Sequence, residues 1–299
     1  MSRQQRPYEC SGRALDYFTR IIFRGQYHPG TINNTLVMDA GIAHFHTFGF
    51  LVLRQFFDPD SIVAEIDRVM RDGVVSSSDI SSGAEIHFQY VPMMTAETPN
   101  SLSLLDRAEA VAANLLGGPV LPTRAKGVLY RGDTPWHVDT VFPVVGLGVA
   151  AYLEPLGADS GALRVIPGSH HPDFANALRA LGVNGMPAEM LPAHVIATEP
   201  GDMILFDEHL FHASFGGGTR RQWRVDYVRD PVDTAAEERT KAYFAGIYPP
   251  DWDGGYYVDR YPSYGPDWRD SRRTSVARLD ALGVYELAAR QEAFARSHR

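Results

Sequence analysis

A histidine and an aspartate two positions apart, His137-Val138-Asp139, and a distant histidine, His212, are the residues of this chain best suited to do chemistry. Side chains on an extended strand alternate between faces, so His137 and Asp139 point the same way. One imidazole delivered to that face from elsewhere completes a set of two nitrogens and one carboxylate. Such a set holds one side of a non-haem Fe(II) and leaves the other side open for substrate and dioxygen. A bare His-x-Asp is common, and a strand histidine is usually just hydrogen-bonded. Here the turn Gly132-Asp133-Thr134-Pro135 launches the strand and puts the pair at a strand mouth.

Two histidines compete for the second nitrogen. His209 lies in the polar stretch Asp207-Glu208-His209, which reads as a turn. His212 follows Leu210-Phe211 and begins the next extended run, so it is preferred. His170-His171 reads as a loop after Pro167-Gly168-Ser169, and His44, His46 and His87 have no ligand pattern around them. An Fe(II) centre needs an electron source to activate dioxygen. A 2-oxo acid supplies one, provided that a fixed cation holds its far carboxylate, a task that suits the planar fork of arginine. Arg220, Arg221 and Arg224 all follow His212 closely. Strand parity groups Arg221 with Trp223, Val225 and Tyr227, an apolar set read as facing the barrel. It groups Arg224 with Gln222 and Asp226, read as facing solvent. Arg221 is therefore the expected anchor and Arg224 the alternative.

The elements that must position these residues follow from the pattern. FLVLR at 50–54 reads as a strand, and Asp58-Pro59-Asp60-Ser61 starts a helix that Gly73 stops. Ser101 to Leu116 reads as a second helix, closed by Gly117-Gly118-Pro119. From there to about residue 230 the chain reads as short strands split by Gly and Pro: 120–131, 136–141, 145–153, 162–166, 194–198, 203–206 and 222–228, with one helix at 173–181. That favours an antiparallel sandwich or barrel. Helices are expected again at 237–247, 274–282 and 285–295. Between the first two lies an aromatic, Gly/Pro-rich stretch, 248–268, that either packs helices onto the sheet or forms a lid. The chain is read as one domain, 1–299: an N-terminal extension over 1–47 with turns at Gly30 and Asn33-Asn34, a β core at about 119–230, and a helical and aromatic region at 231–299.

Composition narrows the partners. With 299 residues, 44% hydrophobic, the chain can bury a large core. Its formal net charge of −8 argues against nucleic acid or an anionic membrane surface. It also means that an anionic cosubstrate needs local cations. Cys10 is the only cysteine, so neither an internal disulfide nor a thiolate cluster forms. The N-terminus shows no signal-peptide core, and the longest nearly apolar run, Val141 to Leu153, is too short to span a bilayer. The expectation is a cytoplasmic protein acting on a small molecule. Its oligomeric state is left open, with a homodimer as one option.

Four segments resemble the phytanoyl-CoA dioxygenase (PhyH-like) family of Fe(II)/2-oxoglutarate oxygenases. They are Phe48-Gly49-Phe50-Leu51-Val52-Leu53 with the Asp58-Pro59 helix start; Thr134-Pro135-Trp136-His137-Val138-Asp139-Thr140; Gly161 to His170 (GALRVIPGSH); and Pro200 to Phe206 (PGDMILF) with Phe211-His212-Ala213-Ser214. The resemblance implies a double-stranded β-helix (jelly-roll, cupin-like) core with flanking helices. It implies His137, Asp139 and His212 as ligands of Fe(II), with 2-oxoglutarate and O2 as cosubstrates and an arginine after His212 as the 2-oxoglutarate anchor. Thr134 and Lys126 fall where some relatives contact the cosubstrate. Val138 stands where the family usually has Gln, and the loop Phe215-Gly216-Gly217-Gly218 looks shortened, which shifts the register of the anchoring arginine. The activity implied is oxidation of a C–H bond, by default hydroxylation, with release of succinate and CO2. Desaturation, cyclisation and epimerisation share its first step. The presence of Asp139 disfavours halogenation. A non-catalytic jelly-roll binding protein and a zinc hydrolase using the same three ligands are the competing readings.

Overall fold

The computed structural model describes residues 34–75 and 88–298. The strands among them are β1 (Phe50–Leu53), β2 (Phe88–Pro92), β3 (Val120–Pro122), β4 (Lys126–Tyr130), β5 (Thr134–His137), β6 (Gly146–Tyr152), β7 (Leu163–Val165), β8 (His194–Ile196), β9 (Met203–Asp207), β10 (His212–Ser214) and β11 (Arg220–Arg229). They form two sheets. The larger runs β1-β9-β6-β11-β4-β2, with β3 also paired to β11, and the smaller runs β5-β10-β7-β8. Every pairing is antiparallel. This is a jelly roll with flanking helices, as expected, and not a closed barrel.

Period-two alternation explains how the larger sheet is buried on both faces. Leu51, Leu53, Val149, Ala151, Met203, Leu205, Trp223, Val225 and Tyr227 belong to the main core. That core fills the space under helices α2 (Pro59–Gly73) and α3 (Pro99–Leu116). Their neighbours Phe50, Val52, Ala150, Tyr152, Ile204 and Phe206 point the other way and meet Leu163, Val165 and Ile196 of the smaller sheet. Two hydrogen bonds tie β11 to α3. Trp223 Nε1 donates to Ser101 Oγ at 2.8 Å, and the Tyr227 hydroxyl donates to the Leu105 carbonyl at 2.7 Å. The buried Glu65 of α2 accepts from the backbone amides of Asn100 and Ser101 and so caps the otherwise orphaned start of α3.

The structure revises several expectations. The run 120–131 is two strands, not one. Between them Thr123 N donates to the Asp226 carbonyl and Arg124 N to the Tyr248 hydroxyl, which takes the backbone off the ladder. Strand β2 was not anticipated, because its pairing to β4 is non-local. Asn34 opens helix α1 (Asn34–Phe48) rather than a turn. Gly30, Cys10, His87 and the rest of the extension before residue 34 lie outside the described residues. Within 248–268, Tyr248, Tyr256, Tyr261, Tyr264 and Trp268 are buried. This stretch packs helices α5 (Thr234–Ile247), α6 (Pro266–Arg269), α7 (Thr274–Ala281) and α8 (Val284–Ser297) onto the body. Of its aromatic residues only Trp252 and Tyr257 remain substantially exposed.

Glu109 on α3 gives a stability test. Burial, then the neighbouring Asp106, push its carboxyl up to about 7, against the opposing Arg273. A raised carboxyl pKa means that the native state resists ionisation, so stability is lost as pH rises from the ordinary carboxylate range to about 7. Because the group is partly solvated, Glu109→Gln should add only about 1 kcal/mol at pH 8 in urea denaturation. The gain should shrink on acidification and vanish below about pH 4.5.

Candidate active site

The register of the smaller sheet places His137 directly opposite His212, with their rings 4.2 Å apart. Asp139 lies just past the end of β5. Its amide donates to the Glu208 carbonyl at 2.9 Å, which ties it to the corner leading into β10. Its Oδ1 is 3.7 Å from His137 Nε2 and 3.5 Å from His212 Nε2. These three donors form the one group among the described residues able to hold a metal ion, all within 4.8 Å of one another. Both imidazoles are oriented the same way. His137 Nδ1 meets the Pro135 carbonyl at 2.8 Å, and His212 Nδ1 meets the Leu210 carbonyl at 2.9 Å. Each Nδ1 therefore carries the proton, and each Nε2 lone pair faces the centre. Adjacent donors on an ion with bonds of about 2.1 Å sit about 3 Å apart, so the three must draw together to grip one.

Electrostatics agree with a metal site. Burial, then the adjacent His212, push the His137 imidazole down to about 4, so it stays neutral and able to ligate. Burial raises the Asp139 carboxyl, but Arg224 and then His212 outweigh it and hold the group well below the usual carboxylate range. The open side is the one away from β10. The His137 side chain keeps 34% of its surface accessible and Asp139 20%, against 4% for His212.

A cavity extends from this centre between the two sheets. Its void is about 390 Å³ including the mouth, but it is narrow. Thr134, Ser214, Tyr130, Arg220, Gln222 and Arg224 line it alongside the three donors. Arg220 stands at its inner end. It is 2% exposed and donates to Ser214 Oγ at 2.7 Å and to the Gly132 carbonyl at 2.8 Å, while its Nε has no partner. It forms no ion pair with a described residue. A buried cation without a counter-charge is costly unless an anion joins it. Ser214 lies two residues along β10 from His212, so about 7 Å separates the donor centre from the Arg220–Ser214 pair. That spacing suits a five-carbon diacid lying along the strand.

The other sequence candidates sort clearly. Thr134 lines the cavity and accepts from Ser214 Oγ at 3.1 Å. Lys126 lies beside Arg224 across the β4–β11 register and is 3.7 Å from Asp226. Arg221 points out of the cavity. Its Nε pairs with Glu154 at 2.8 Å and its Nη1 with both oxygens of Asp67 at 2.8 Å. The parity argument grouped the residues of β11 correctly but assigned the faces the wrong way round. The apolar set packs under α2 and α3, and of the polar set Arg220, Gln222 and Arg224 line the cavity while Asp226 is buried behind them against Arg224. Arg220 was named among the arginines after His212 but passed over for that reason, although it shares its parity with Arg224 and follows the Ser214 that completes the His212 strand. His209 faces away, between Asp207 and the Phe142 carbonyl.

The family model for phytanoyl-CoA dioxygenase (PhyH) matches residues 45–224. The chain belongs to this family. As a PhyH protein it is a 2-oxoglutarate-dependent non-haem iron dioxygenase, and the binding-protein and zinc-hydrolase readings are not favoured. No curated protein matches this PhyH chain in sequence. Among solved structures it is similar to the epimerase SnoN from nogalamycin biosynthesis in complex with Fe3+, alpha ketoglutarate and nogalamycin RO. That match has a TM-score of 0.53 and 18% identity and covers 66% of this chain and 85% of the other. It is also similar to EvdO2 from Micromonospora carbonacea var. aurantiaca, with a TM-score of 0.52 and 18% identity, covering 69% of this chain and 94% of the other. At such identities these likenesses concern the fold.

If Arg220 holds the far carboxylate of 2-oxoglutarate, Arg220→Ala should weaken 2-oxoglutarate binding by about 100-fold or more. Arg221→Ala should leave that affinity unchanged and cost at most about 1 kcal/mol of stability. Anaerobic titration of the Fe(II) protein and urea denaturation, respectively, check the two outcomes.

Proposed function

We propose that His137, Asp139 and His212 hold the iron of this PhyH dioxygenase, and that Arg220, with Ser214 and Thr134, holds the far carboxylate of 2-oxoglutarate. The observation that carries the reading is one strand step. Three converged donors with fixed tautomers stand at one end of β10, and a buried cation without a counter-charge stands at the other. Bound iron with 2-oxoglutarate supplies the oxidising power, as the cosubstrate is decarboxylated to succinate and CO2 with consumption of O2. The chain's own residues do the rest. His137 and His212 offer Nε2 while their Nδ1 protons stay on strand carbonyls. Arg220 and Ser214 fix the cosubstrate's direction, so its oxo-carboxylate end reaches the three donors. The inner sheet faces, packed with Phe206, Tyr152 and Leu163, keep bulk water from the cosubstrate.

The substrate enters from the open side of His137 and Asp139. Tyr130, Phe88, Tyr90 and Trp252 form a chain of ring contacts leading outward from the cavity, with centroids 5.0, 5.7 and 5.5 Å apart. Phe88 and Trp252 keep 40% and 37% of their surfaces exposed. A rail of rings that reaches the surface at Phe88 and Trp252 suits a small organic molecule with an apolar or planar face, and hydroxylation of one of its C–H bonds is the proposed outcome. The reading includes a cytoplasmic protein without nucleic-acid or membrane partners. No helix among the described residues is long and apolar enough to cross a membrane.

Adding Fe(II) and 2-oxoglutarate without oxygen should produce a visible metal-to-ligand charge-transfer band. The band should be lost in Asp139→Ala and in His212→Ala. A well-folded wild-type protein that shows no band would overturn the assignment. Trp252→Ala should raise the KM for substrate severalfold, by removing an aromatic contact worth about 1 kcal/mol, and leave the band intact.

A further inference from the structure

The second oxygen of Asp139 is not idle. Oδ1 faces the two imidazoles, and Oδ2 accepts from Arg224 Nη2 at 2.6 Å, a charge-assisted bond. Arg224 is itself clamped. Its Nε and Nη2 donate to Asp226 Oδ1 at 3.0 and 2.7 Å, and its guanidinium lies 5.0 Å over the Phe206 ring. Asp226 is held in turn by Thr123 and Lys126. Its amide donates to Thr123 Oγ1 at 3.1 Å, and Lys126 Nζ lies 3.7 Å from its Oδ2. Opposite Asp226 in the ladder stands Gly148, where a Cβ would come within 2.9 Å of Arg224 Nη2. The missing side chain leaves room for the guanidinium. Its Nε and Nη2 are thus committed to two carboxylates, whereas Arg220 pairs with none among the described residues.

We infer that Arg224 is a positioning residue that keeps Asp139 a one-oxygen ligand. This inference rests on the iron-site reading above. A carboxylate binds a cation through one oxygen or two. Two imidazoles and one carboxylate oxygen would give a bound iron three ligands, and the oxo-carboxylate end of 2-oxoglutarate would give two more. With six ligands in all, one place would be left for dioxygen. If Asp139 turned to bind through both oxygens, that position would be taken. Arg224 prevents the turn by holding Oδ2 away from the centre, and Asp226, Lys126 and Thr123 keep Arg224 in place. The role differs from the cosubstrate-anchoring one that sequence parity offered for Arg224.

Arg224→Met, of similar length but without the charge, separates these roles when nitric oxide is used as a probe for the vacant position in the anaerobic Fe(II)–2-oxoglutarate protein. The variant should keep the charge-transfer band and a 2-oxoglutarate affinity within about threefold of wild type. Its affinity for nitric oxide, read by electron paramagnetic resonance, should fall by about tenfold or more. Arg224→Lys should recover part of the signal. Asp226→Asn, which loosens the guanidinium without removing it, should weaken nitric oxide binding in the same direction, and it serves if Arg224→Met does not fold. Unchanged nitric oxide binding in the folded variants would overturn the inference. So would loss of 2-oxoglutarate binding with binding of pyruvate, which lacks the far carboxylate, retained, since that pattern marks a cosubstrate anchor. Absence of the band in wild type would instead sink the iron-site reading itself.

Discussion

The register of β11 is the constraint on which the interior depends. Arg220, Gln222 and Arg224 face the cavity, and Trp223, Val225 and Tyr227 face the helices. A slip of one residue would exchange the two sets. Three aromatic or branched side chains would fill the cavity, and two arginines would lie under α2 and α3 without partners. The Trp223–Ser101 and Tyr227–Leu105 hydrogen bonds secure the register from the outer side. Packing on one face of the sheet therefore determines the chemistry on the other.

The polar interior is arranged as two distinct charge environments within one cavity. At the donor centre, Arg224 and Asp226 form a closed set of ion pairs around Asp139. At the inner end, Arg220 has hydrogen bonds but no counter-charge among the described residues. The first environment is closed on its own carboxylates; the second, on the proposed reading, is completed by the far carboxylate of the cosubstrate, a local attraction that a chain of net charge −8 does not otherwise offer a dianion.

Much of this was legible in the sequence, for physical reasons that differ by residue. The donors His137, Asp139 and His212 were readable because metal ligation demands specific side chains, and strand alternation fixes which of them share a face. Strands such as β6 and β9 were readable because burial on both faces leaves an unbroken apolar run. Arg220 was not, because an apolar set on one side of a strand signals burial but does not say whether helices or the other sheet cover it. Strand β2 and the break before β4 depend on contacts with residues far along the chain. The packing role of most of 248–268 was one of two readings that composition left open, and burial of its tyrosines decides it.

The pairing of β1 with β9 joins Phe50 to Phe206, and β10 lies later still. The larger sheet cannot close until most of the chain has left the ribosome, and such distant pairings make folding slow. The two imidazoles also come together only then. A nascent chain therefore lacks the converged donor set until β10 has been made and paired.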